Sequence, residues 1–161
     1  MENGVYLLLG SNLGDRKENL LHARDSIQGF GAIITTSSLY QTQAWGNTQQ
    51  PDFLNQVIRI SFKKSPQQLL NKVLTLENEM GRLRTEKWGS RIIDIDILFF
   101  GKIILTEKNL IIPHPEIAKR RFTLLPLVEI APDFAHPLLE KSCKQLLEEC
   151  TDPSVVELFK S

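Results

Sequence analysis

Residues 92–100 read IIDIDILFF, the most strand-like run in the chain, and the elements placed before them decide the fold. Only positions 94 and 96 are polar, so length and composition predict a strand. Toward the N-terminus lies a basic, glycine-bounded loop at 81–91 (GRLRTEKWGSR). Before it the spacing predicts a helix from Ser65-Pro66 to Gly81, with Pro in its first turn and Leu69, Leu70, Val73, Leu74 and Met80 on one stripe. Residues 53–62 (FLNQVIRISF) and 32–40 (AIITTSSLY) read as strands joined by a polar segment at 42–52. Leu20, Ala23, Ile27 and Phe30 set a helix over about 16–29 with Asp15 as its N-cap, and Val5 to Leu9 is a short buried strand closed by Gly10. The order β-α-β-β-α-β predicts an α+β fold of the ferredoxin-like kind, an antiparallel sheet with two helices on one face. A hairpin over 102–112 and then loop and short helices are expected to follow.

The chain has 161 residues, 42% hydrophobic and 24% charged, which fits one soluble domain over 1–161 with a core of its own. Nineteen basic and nineteen acidic side chains cancel. That balance argues against nucleic acid or an anionic membrane as partner. The opening MENGVYLLLGSNLGDR holds only a five-residue apolar run, far short of a signal segment or the ~20 residues that span a bilayer. Cys143 and Cys150, on one helix, would be roughly 10 Å apart, too far for a disulfide. Free thiols and a cytoplasmic location are expected.

Strand alternation puts Asp94 and Asp96 on one face and Ile93, Ile95 and Ile97 on the other. Adjacent carboxylates near a core need a cation between them or arginines around them. Mg²⁺ carrying substrate phosphates suits two carboxylates, because it keeps waters and takes few protein ligands. The 81–91 loop brings Arg82, Arg84, Lys87 and Arg91 against Glu86, a local charge of +3 (four minus one). Beside an aspartate pair, such a loop points to polyphosphate rather than to a merely solvated surface. Glu77 follows the second helix's apolar stripe and is expected to point inward toward Arg82 or Arg84. Asn55, a polar amide among apolar strand neighbours, requires a partner. His114 sits between two prolines in IPHPE, and Phe53 and Phe122, read from their own surroundings, are core residues more often than stacking ones. No P-loop, GxGxxG, GxSxG, HExxH or paired CxxC occurs.

Read together, GSNLGDR, QPDFLNQV, GRLR, KWGSRIIDIDILFFG, and IPHPE followed by RRFTLLPL resemble the 6-hydroxymethyl-7,8-dihydropterin pyrophosphokinase family of folate biosynthesis. The resemblance implies a monomeric enzyme that moves pyrophosphate from ATP to the pterin's hydroxyl, releasing AMP, with Mg²⁺, two ions bound with ATP, as cofactor. It further implies that Asp94 and Asp96 hold the metal. Arg82 and Arg91 would act catalytically with them, and Glu77, Arg84, Trp88, Arg91, His114 and Arg120 would bind ATP. Thr42, Phe53, Asn55 and Phe122 would hold the pterin, Asn55 at its hydrogen-bonding edge and the two aromatics on its faces. Phe53 stands where some members carry tyrosine. Leu74 and Asn109 stand where some carry a glutamine and an arginine, and Pro115 replaces an aromatic found in some. Two other readings share the scaffold: a different two-metal nucleotidyl or phosphoryl transferase, and an RNA-binding module. The second needs exposed aromatics and a basic sheet face, where this chain places two aspartates.

Overall fold

All seven residues of the first strand, β1 (Val5–Ser11), are buried, because it has a strand on each edge and helices on both faces. The structure is a computed structural model that describes residues 4–43, 52–81 and 92–160. After β1 come α1 (Arg16–Gln28), β2 (Ala32–Thr36), β3 (Tyr40–Thr42), β4 (Phe53–Ser61), α2 (Pro66–Gly81) and β5 (Asp94–Phe100). A hairpin of β6 (Leu105–Glu107) and β7 (Leu110–Ile112) follows, then a 3-10 turn (Ile117–Lys119), α3 (Arg121–Ile130), α4 (Cys143–Glu149) and β8 (Val156–Leu158). The six-stranded sheet runs β5-β1-β4-β3-β8, with β2 also on β4, and every pairing is antiparallel. Among the described residues it is a mixed α/β architecture with four α-helices.

Two cores lie on opposite faces of the sheet. On one, Leu7, Leu9, Ile58, Ile95 and Ile97 pack against Leu20, Ala23 and Ile27 of α1 and Leu69 and Val73 of α2. On the other, Leu8, Val57, Leu98 and Phe99 pack against Leu124 and Leu127 of α3 and Cys143 and Leu146 of α4. The pairing of β1 with β5 slips between Tyr6 and Leu7, so Leu98 and Phe99 both join the second core. The C-terminal helices thus cover the face opposite α1 and α2. Asp94 and Asp96 lie beyond their cover.

Three expectations are corrected. The strand read over 32–40 is two strands, because Ser37 interrupts it: its hydroxyl accepts from the Val57 N–H and its carbonyl accepts from Gln56 Nε2. On α2 the buried stripe is Leu69, Val73 and Leu76, whereas Leu74 is 46% exposed. Strand β8 extends the sheet beyond β3, where only loop and short helices were expected. Cys143 and Cys150 are free thiols, as expected.

Candidate active site

The middle of the site is built from three adjacent strands in register. Gly10 of β1 lies opposite Asn55 of β4 on one side and opposite Asp94 of β5 on the other. Asp94 and Asp96 face the same way, as alternation predicts, and both are half-buried. A cavity of about 450 Å³ opens over them. Its wall includes Leu8, Gly10, Thr42, Gln43, Phe53, Asn55, Asp94, Asp96, Arg120 and Phe122. Six positions read from sequence as metal or pterin residues therefore converge on one space, although Thr42 and Phe122 stand far apart in the chain.

Two polar atoms in that wall are buried without satisfaction. Thr42 Oγ1 and Asn55 Oδ1 have no hydrogen-bond partner among the described residues. Asn55 Nδ2 donates a long bond, 3.4 Å, to the Leu9 carbonyl. A buried acceptor left unmet costs about 1–3 kcal/mol, so such atoms call for a ligand with matching donors. Phe53 at the start of β4 and Phe122 in the first turn of α3 bring half-buried rings to the same cavity. Arg120 precedes α3 and lies 5.6 Å from the Phe122 ring centre.

Beyond Asp96 a second cavity, about 300 Å³, is lined by Leu70, Ile95, Asp96, Ile97, Lys108, Asn109, Leu110, Ile111, His114 and Pro115. Asp96 is the wall common to both. The His114 amide donates to the Leu98 carbonyl (3.0 Å), and its Nδ1 accepts from the Glu116 N–H (3.1 Å). Burial pushes the His114 pKa down, partly opposed by the charge of Asp96. The imidazole is thus kept neutral, as an accepting Nδ1 requires.

The family described as 7,8-dihydro-6-hydroxymethylpterin-pyrophosphokinase matches residues 6–132. The chain belongs to this family. A 2-amino-4-hydroxy-6-hydroxymethyldihydropteridine pyrophosphokinase of Aquifex aeolicus is 42% identical over 147 residues, 91% of this chain and 92% of that protein. The enzyme of the same name from Haemophilus influenzae is 37% identical over 156 residues, covering 96% and 97%. A crystal structure of wild-type Plasmodium falciparum HPPK-DHPS with SDX-DHP superposes with a TM-score of 0.70 at 19% identity. It shares the fold with 91% of this chain, which spans 43% of that longer one.

The family resemblance read from the motifs is thereby established. Arg82, Arg84, Trp88 and Arg91 lie outside the described residues. Glu77 is expected to point inward toward Arg82 or Arg84, which lie outside the described residues; its Oε2 accepts from the Ile95 N–H at 2.6 Å, between the two aspartates. Among the described residues no cluster of three or more His, Cys, Asp or Glu side chains could enclose a metal. Two neighbouring carboxylates facing an open cavity fit a hard cation that keeps waters and phosphate oxygens as its other ligands. Sequence reading passed over Gly10 as a site residue. The only signal was its place at the end of an apolar strand, and its role depends on a partner 45 positions away (55 − 10).

Proposed function

We propose that this chain transfers pyrophosphate from ATP to 6-hydroxymethyl-7,8-dihydropterin, giving AMP and the pterin diphosphate, in folate biosynthesis. The observation that carries this reading is the unmet pair Thr42 Oγ1 and Asn55 Oδ1 in a cavity walled by two aromatic rings and floored by two aspartates. A flat heterocycle with an amide-like edge fits between Phe53 and Phe122 and supplies donors to both oxygens. Its hydroxymethyl group then lies on the side of Asp94 and Asp96. The pterin hydroxyl oxygen attacks the β-phosphorus of ATP and gives up its proton to water, the bond from that phosphorus to the α,β-bridging oxygen breaks, and AMP leaves with that oxygen.

Asp94 and Asp96 would hold Mg²⁺, two ions bound with ATP. When bound, the metal neutralises the triphosphate and fixes its register. His114 in the second cavity and Arg120 in the wall of the first would bind ATP, and Glu77 holds β5 so that both aspartates face the cavity. Arg82, Arg84 and Arg91 would neutralise charge that develops on the phosphates, with Trp88 beside them on the same segment. Asn109 and Leu74 offer less to the nucleotide than an arginine and a glutamine would. The β5-β1-β4-β3 order, with α1 and α2 on one face, supports a ferredoxin-like arrangement of a single domain. Free thiols favour the cytoplasm. Among the described residues no helix is long and apolar enough to cross a membrane, and we propose a monomer acting on small molecules.

The test is a product assay with ATP and Mg²⁺, with and without the pterin. AMP formed only when the pterin is present is the expected result. ADP as product, or pterin-independent turnover, would overturn the reading in favour of another phosphoryl transferase.

A further inference from the structure

The GSNLGDR segment does more than close β1. Gly14 (φ 74°) turns the chain, the Asp15 side chain accepts from the Glu18 N–H, and α1 begins at Arg16. A cation at this position faces the positive end of the helix dipole, so the helix itself gives no reason for it. Its reason lies across the fold. Arg16 Nη1 donates to Gln41 Oε1 (3.0 Å) and to the Asp52 carbonyl (2.8 Å). Gln41 and Asp52 directly precede Thr42 and Phe53, which are register partners between β3 and β4 and both line the 450 Å³ cavity. The guanidinium is also held from behind: its carbon lies 5.6 Å from the Phe159 ring centre, and the Phe159 N–H donates to the Leu39 carbonyl just after β8 pairs with β3.

We infer that Arg16 is a positioning residue for the pterin. One planar group with two N–H bonds on the same nitrogen fixes the backbone before Phe53 and the side chain before Thr42, and so sets the distance between the ring that stacks and the hydroxyl that accepts. The inference rests on the reading of this cavity as the pterin site. A guanidinium can bridge two acceptors with its plane stacked on an aromatic ring, whereas an ammonium cannot reproduce that geometry. Small errors of placement between a stacking ring and a hydrogen-bonding group are costly in binding.

The experiment is calorimetric titration of Arg16→Ala, Arg16→Lys, Gln41→Ala and the Arg16→Ala/Gln41→Ala double variant. Each is titrated separately with the hydroxymethylpterin substrate and with a non-hydrolysable ATP analogue plus Mg²⁺. Arg16→Ala is expected to weaken pterin binding about fivefold to tenfold and to raise the pterin KM in step, with kcat at saturating pterin and analogue binding within about twofold. Arg16→Lys should recover part of the loss, and the double variant should be no worse than Arg16→Ala. Unchanged pterin affinity in Arg16→Ala, or equal losses for both ligands, would overturn the inference. Should Arg16→Ala not fold, Arg16→Lys and Gln41→Ala decide by the same criterion. Asn55→Ala is run in parallel: if it weakens pterin and the Arg16 variants do not, the positioning role alone is wrong. If Asn55→Ala also binds pterin normally, the cavity assignment falls and the role of Arg16 with it.

Discussion

Gly10 and Asn55 face each other across β1 and β4, and a Cβ built on Gly10 would stand 2.6 Å from Asn55 Nδ2. The glycine is required by its neighbour, since its φ is not in the left-handed region. Gly10→Ala forces the Asn55 amide aside while the backbone can stay in place, because the clash is with the end of a side chain. We expect pterin affinity to fall by about tenfold, equivalent to about 1.4 kcal/mol, with Tm nearly unchanged and binding of an ATP analogue intact. A thermal melt beside two separate titrations checks this. A large fall in Tm would mean that position 10 governs the sheet rather than the site.

Asp94 and Asp96 are two positions apart on β5 and share one face. Removing either carboxylate relieves a like-charge pair, so the fold should tolerate it. Asp94→Ala and Asp96→Ala are each expected to abolish AMP formation and to leave Tm within a few degrees of the parent. Magnesium titration against activity measures the effect directly: the parent requires the ion, and neither variant responds to it. Near-native turnover in either would remove that residue from the metal assignment.

The aspartate pair was legible because period-two alternation on a strand is a local rule, and Ile93, Ile95 and Ile97 mark the buried face without reference to any other part of the chain. Thr42, Phe53, Asn55 and Phe122 were legible only through the motif resemblance, since nothing in their own spacing says that they meet. Other features depend on contacts that sequence order hides. The break at Ser37 follows from a hydroxyl that replaces a rung of the ladder to Val57, twenty residues on. Strand β8 is three residues long, too short to carry a period, and forms because β3 leaves an edge open. Leu74 fits a helical stripe on paper, but α2 turns Leu76 inward instead. That α3 and α4 cover the second face becomes visible only once the sheet exists, because its apolar residues on that face belong to three separate strands, β1, β4 and β5.

Glu77 carries a prediction about β5. Its Oε2 accepts the Ile95 N–H at 2.6 Å on β5, the end strand of the sheet, and so fixes the backbone between the two aspartates. Glu77→Ala leaves that N–H unmet, at a cost of roughly 1–3 kcal/mol. For a chain of this size, each kcal/mol lowers Tm by about 2–4 °C. The rate should fall as well, because the carboxylates lose their fixed spacing, while pterin affinity stays near the parent's. Glu77→Gln keeps an acceptor oxygen and should restore most of the Tm. Failure of Gln to rescue would show that the negative charge of Glu77, rather than its hydrogen bond, matters to the site.

His136 sets an acid limit on stability. It is 5% exposed, and its Nδ1 accepts from the N–H groups of both Leu138 and Leu139 at 3.1 Å each. Burial first, and the positive charge of Lys102 second, hold its pKa below the usual 6.5. Protonation would turn Nδ1 into a donor aimed at two donors. The unfolded chain takes up this proton more readily than the folded one, so stability is full above about pH 6.5 and is lost as pH falls toward the lowered folded value. Tm should therefore drop between about pH 7 and pH 5. In His136→Asn the amide oxygen can accept the same two bonds without titrating, so the drop should be smaller. His114 is lowered by its own burial and contributes to the same window, and for that reason the comparison is between variant and parent at each pH rather than between two pH values of one protein. Calorimetric melts at half-unit steps measure it. Parallel curves for the two proteins would mean that His136 is not the group whose protonation loosens the fold.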